Sequence, residues 1–165
     1  MSIISAHQLV LTTRSPVFRA MFAHDMIENQ TKEVRIRDIK VAVFTQFLRF
    51  LYCGDIPADG DKALVMDLLT TAGKYQVADL KSRCETKMKQ FIGAETVADI
   101  LVFSDHHDCA DLRLSCFNWI NANFKLFDER KENWDLLRGY PNLLAELFPA
   151  SKNESESGSG SESGS

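Results

Sequence analysis

The sequence predicts an α+β fold that is predominantly helical. Three observations predict it. Apolar residues recur at helical spacing through most of residues 61–148, one short segment alternates like a strand, and a helix pair recurs at a fixed offset.

The elements follow in order. Ser15-Pro16 is a start signal, an N-cap followed by proline at the first helical position, after which Val17, Phe18, Met21 and Phe22 share one face. Residues 24–32 are polar apart from Met26 and Ile27 and read as a loop. Glu33-Val34-Arg35-Ile36-Arg37 alternates with period two and is the one expected strand. Asp38 is placed to cap the next helix, in which Phe44, Phe47, Leu48 and Leu51 follow i, i+3, i+4, i+7 spacing. Val43 and Phe50 widen that stripe to nearly two faces, which marks the helix as central, and Gly54 is its left-handed stop. Lys62–Tyr75 and Ala78–Ile92 form a helix hairpin, Thr96–His107 and Ala110–Phe124 a second one. Trp134 to Phe148 supplies one or two closing helices, with Pro141 starting rather than interrupting one.

The two hairpins are copies. Ala78-Asp79-Leu80-Lys81 returns as Ala110-Asp111-Leu112-Arg113, Cys84 as Cys116, Met88 as Ile120 and Leu68-Leu69 as Ile100-Leu101, all at an offset of 32 residues. A lone hairpin cannot bury its apolar face, so the repeat predicts two stacked units with one continuous core.

Composition narrows the function. The chain has 165 residues, 45% of them apolar. No run approaches the ~18 apolar residues of a membrane span, so no membrane partner is expected. The formal charge is −4, and Lys152 against Glu154, Glu156 and Glu162 places −2 of it in a Ser/Gly/Glu tail at 150–165 that is expected to be disordered. A nucleic-acid binder carries a basic surplus, so nucleic acid is not an expected partner either. Lys81, Arg83, Lys87 and Lys89 read as the wet side of their helix. Four cysteines, at 53, 84, 109 and 116, are too sparse for a disulfide framework and read as reduced thiols.

Reactive constellations are weak. His106-His107-Asp108-Cys109 with Cys116 is the best candidate for a metal, since zinc takes about four converging N/S ligands. The repeat offers a plainer account: His107 corresponds to Tyr75 and Cys116 to Cys84, and the first copy has no ligand set. Ser15, Ser104 and the cysteines lack the context of an activated nucleophile, and no phosphate-binding glycine loop occurs. No catalytic residue, metal or cofactor is therefore expected. Met26, in its polar loop, either folds back on the body or anchors a partner, with Glu28 beside it to fix register.

Ala6-His7-Gln8-Leu9-Val10-Leu11, followed by Arg14-Ser15-Pro16-Val17-Phe18-Arg19-Ala20-Met21-Phe22, resembles the core signature of BTB/POZ domains. So do Phe47-Leu48-Arg49-Phe50-Leu51-Tyr52-Cys53-Gly54 and Ala72-Gly73-Lys74-Tyr75. The second repeat, Trp134 and Pro141-Asn142-Leu143-Leu144-Ala145-Glu146 are similar to the BACK segment that trails such domains. The resemblance is nearest to the speckle-type POZ protein group. It implies a BTB/POZ domain over 1–92 without its first strands, because only Ser2–Ser5 precede the Ala-His motif, and a BACK-like segment over 93–149.

What this resemblance implies is a non-enzymatic interaction module, an adaptor-like component of a cullin-3 RING ubiquitin ligase in the nucleus or cytoplasm. Its partners would be the cullin-3 N-terminal domain and itself or other BTB proteins. The family's apolar-x-Glu cullin contact maps onto Met26 and Glu28, and its dimer contacts onto Val10 and Phe148. The alternative is homo- or hetero-oligomerisation without a cullin.

Overall fold

A computed structural model describes residues 3–23, 31 and 33–148. Ten α-helices occur among the described residues, and no strand. The first three are α1 (Gln8–Arg14), α2 (Pro16–Ala23) and α3 (Val41–Cys53). The two hairpins are α4 (Lys62–Lys74) with α5 (Ala78–Met88), and α6 (Val97–His106) with α7 (Ala110–Ala122). Three short helices close the chain: α8 (Phe124–Asp128), α9 (Lys131–Leu137) and α10 (Pro141–Leu147). The fold is predominantly helical, as expected, but the strand is not formed.

Glu33–Arg37 is the main correction. Its side chains do alternate, with Val34 and Ile36 half-buried against the core and Glu33, Arg35 and Arg37 exposed. A strand also needs a second extended segment beside it, and among the described residues none pairs with this one. Period-two burial therefore exists here without a ladder. Asp38 departs from expectation too. α3 begins at Val41 behind Lys40 with no side-chain cap, while Asp38 accepts from Lys74 Nζ at 2.6 and 2.7 Å. The Lys74 ammonium holds the Asp38 carboxyl below its ordinary range.

Other local signals do form. Ser15 Oγ accepts from the Phe18 N–H at 3.2 Å and so caps α2. Asp61 caps α4 through the Leu64 N–H at 2.8 Å. Gly54 closes α3 at φ 76, its N–H donating to Phe50 O. Pro141 is the first residue of α10.

The repeat extends to the backbone. Both hairpins turn through a non-glycine residue in the left-handed region, Gln76 at φ 54 and Asp108 at φ 51, at the same offset of 32. The Val77 N–H donates to Ala72 O at 2.9 Å, and the Cys109 N–H to Ser104 O at 2.8 Å. Gln76 N–H reaches Gly73 O just as Asp108 N–H reaches Asp105 O. Each first helix thus ends in the same wrapped, left-handed C-terminal turn, which satisfies its last carbonyls. The turn aims Leu80, Cys84 and Met88 in one hairpin, and Leu112, Cys116 and Ile120 in the other, into a common core where all six are fully buried.

Polar connections join the parts. Ser15 Oγ donates to Tyr75 O at 2.7 Å, tying the α1–α2 corner to the end of α4. Lys81 Nζ donates to His107 O at 2.8 Å, tying α5 to the end of α6. Buried Asn133 donates to Ala94 O and Phe127 O, holding α9 over the joint before α6. The ion pair of Glu95 with Arg130 lies on the same joint.

Candidate interaction surfaces

The former metal candidate dissolves in three dimensions. Cys84, Cys109 and Cys116 are buried, Cys53 is exposed and none is paired. Burial pushes all three buried thiols up to about 12, so near neutral pH they are protonated and pack as small hydrophobes. His107 packs against Phe103 in a tilted arrangement with ring centroids 4.3 Å apart, and burial holds its imidazole below the ordinary range. His106 meets the Tyr140 ring instead. The described residues bring no three His, Cys, Asp or Glu side chains together as a metal cluster. No helix among them is long and apolar enough to cross a membrane.

Tyr75 is the hub that organises the N-terminal surface. Its ring stacks on Phe18 at 4.6 Å and 10° and packs against Phe47 at 5.2 Å and Phe44 at 6.2 Å. Desolvation, followed by the Asp38 charge, pushes its phenol up to about 12. In the sequence Tyr75 stands at the end of the Lys62–Tyr75 helix and within the BTB/POZ-like Ala72-Gly73-Lys74-Tyr75 stretch, and neither place marks it as an aromatic hub. The signal that could have found it is Tyr at the last position of a helix whose repeat copy carries His107, another ring at a turn.

Three parts of the chain bear on the expected contacts. The first is the sequence that follows α2. Phe18 and Phe22 are buried and fix the end of α2, from which the chain enters residues 24–30. Met26 and Glu28, the expected cullin contacts, lie in that stretch, outside the described residues. The second is a groove of about 820 Å³ between Ile3–Ala6 and Glu33–Arg37, floored by Leu11, Phe18, Phe22, Phe44 and Leu48. Ile3 at its lip is 89% exposed. Local periodicity gives no sign of the groove, because its walls come from separated segments of the chain.

The third surface is at the C-terminal end. Phe148 stacks on Trp134 with centroids 5.9 Å apart and meets Phe124 edge-on at 5.9 Å. Phe124 is 41%, Leu126 50% and Phe148 44% exposed, an apolar patch of a kind that marks binding surfaces. Val10, the other expected dimer contact, is half-buried on α1 and packed against the core, beside Leu9 at 78% exposure. Val10 and Phe148 thus belong to separate surfaces.

The described residues present apolar surface for other proteins to meet rather than an assembled set of reactive groups. The chain belongs to the BTB/POZ domain family, whose match covers residues 2–92, more than half of its length. This is a family of non-enzymatic protein–protein interaction domains that commonly self-associate or bind one another. Among curated relatives, TD and POZ domain-containing protein 4 of Mus musculus is 32% identical over 143 residues, which is 87% of this chain and 39% of the relative. TD and POZ domain-containing protein 1 of Mus musculus is 31% identical over the same share of each. The chain thus spans 39% of the length of these relatives. Their printed name is TD and POZ rather than speckle-type POZ, so the comparisons show the family and not that finer grouping.

Proposed function

We propose that this chain is an adaptor-like component of a cullin-3 RING ubiquitin ligase. The observation that carries the reading is the apolar-x-Glu sequence Met26-Ile27-Glu28 in a BTB/POZ chain, directly after a helix whose end is anchored by Phe18 and Phe22. Methionine suits such a contact because its unbranched thioether adapts to an irregular groove. Glu28 adds a carboxylate that can pair across the interface and set register. In this reading residues 93–149 are a BACK-like helical segment, and the protein works in the nucleus or cytoplasm. A pull-down on purified cullin-3 N-terminal domain, with a sizing column alongside, tests it. Co-elution supports the reading, and two separate peaks at micromolar concentration refute it.

A second reading has its own observation. The cluster of exposed Phe124 and Phe148 around half-buried Trp134 favours an oligomerisation module that pairs with itself or other BTB proteins without a cullin. Val10 with Leu9 would add a second contact on α1. Loss of self-association in Phe148→Ala, with no cullin co-elution by the unmutated chain, would select it.

A further inference from the structure

The turns of the two hairpins share one backbone and differ in one ring. At the end of the first helix of each hairpin the first copy carries Tyr75 and the second His107, 32 residues on. Tyr75 is fully buried, whereas His107 is half-buried and touches the first hairpin. The His107 ring packs against Phe103, with Nε2 3.4 Å from Thr70 Oγ1 on α4. Thr70 Oγ1 already donates to Met66 O at 3.0 Å, so it is the acceptor for a proton on Nε2. A second proton would go to Nδ1. From α5, Lys81 Nζ donates to His107 O at 2.8 Å and to Asp108 O at 3.3 Å.

The charged groups facing this ring are Lys81 from α5 and His106 and Asp108 from its own turn. On α4, Asp67 is paired with Lys40 and Lys74 with Asp38. Burial, then His106 and Lys81, hold a second proton off the ring, and Asp108 opposes them. Tyr75 has no such proton to gain in mild acid.

We propose that the α6–α7 turn is a proton-operated latch between the two hairpins: protonation of His107 sets an imidazolium beside the Lys81 ammonium, drives the ring from its seat against Phe103 and Thr70, and opens the turn, while the Tyr75 turn stays closed. In the open turn the ring regains its ordinary proton affinity, near 6.5. The latch is therefore fully closed above that pH and loosens as pH falls below it, by up to about tenfold one unit lower. The seam it holds joins the matched domain, residues 2–92, to the helices that follow.

Amide hydrogen exchange on the full chain tests this, read as protection factors at about pH 7.5 and 5.5, where carboxylates at their ordinary values stay ionised. The Cys109 N–H, bonded to Ser104 O, should lose up to about tenfold in protection. Its copy, the Val77 N–H bonded to Ala72 O, should hold constant. His107→Tyr, which installs the ring of the first turn, should make Cys109 protection flat across this range. Lys81→Gln removes a facing charge and should move the midpoint of the His107 ring, followed by proton NMR, upward. His106→Asn should keep the Cys109 loss. Cys109 protection that does not change, that falls equally at Val77, or that still falls in His107→Tyr overturns the proposal. A His107 midpoint at or above 6.5, or one unmoved by Lys81→Gln, overturns it too, as does a loss abolished by His106→Asn. No partner enters this experiment, so its outcome is independent of the adaptor reading.

Discussion

Removal of the Ser15 hydroxyl should destabilise the protein far more than its size suggests. Ser15 is fully buried, and its Oγ makes two bonds at once. It accepts from the Phe18 N–H at 3.2 Å and donates to Tyr75 O at 2.7 Å. In Ser15→Ala the first loss is an N-cap, worth about 1 kcal/mol. The second is the desolvation left on a buried carbonyl without a donor, about 1–3 kcal/mol. Together the change should cost about 2–4 kcal/mol, and in a chain of this size lower Tm by roughly 6–12 °C. Urea unfolding followed by circular dichroism measures it, with exposed Ser82→Ala as a control expected within about 0.5 kcal/mol. If Ser15→Ala also loses less than about 0.5 kcal/mol, the corner between α2 and α4 is not held as described.

Three further outcomes follow from the same architecture. Phe47→Ala, on the buried face of α3 and against the Tyr75 ring, should cost about 3–5 kcal/mol in urea unfolding. Gln76→Gly should stabilise by up to about 1 kcal/mol, because a side chain at φ 54 is strained; Gln76→Val should do the opposite. Stability should fall at both ends of the pH scale when followed by thermal melts. His107 is depressed in the fold, so its contribution is complete above pH 6.5 and lost as pH falls through its lowered value. Asp38 acts in the same sense below pH 3.8. The buried thiols are raised, so their contribution is complete below pH 9 and lost as pH rises toward about 12, with Tyr75 joining above pH 10. A melt unchanged from pH 6 to 10.5 would contradict the burial of these groups.

What could be read in the sequence was what is decided locally or by repetition. Ser15-Pro16, Gly54 and Pro141 act through the backbone next to them, and each sits where its chemistry required. The hairpins were legible because two copies at an offset of 32 marked the same inward positions. Pairings across the chain were not. Lys74 lies 36 residues from Asp38 and takes the carboxylate that sequence proximity assigned to a cap. Val34 and Ile36 face inward as their alternation implied, but a ladder depends on a partner that periodicity cannot supply. Trp134 to Phe148 falls in two helices, α9 and α10, within the one or two expected, and the added short helix α8 lies before them, between Asn123 and Arg130. Of the site residues, Phe148 lies in an exposed aromatic cluster and Val10 lies half-buried. Met26 and Glu28 rest on the family resemblance alone.

The adaptor reading stands or falls on one titration. A cullin-3 N-terminal fragment is added to the full chain in a calorimeter, and then to the chain carrying Met26→Ala with Glu28→Ala. The account predicts saturable binding by the first and, since truncating an interface anchor commonly costs 1–2 kcal/mol or more, at least about tenfold weaker binding by the second. No binding by the unmutated chain, or equal binding by both, would contradict it.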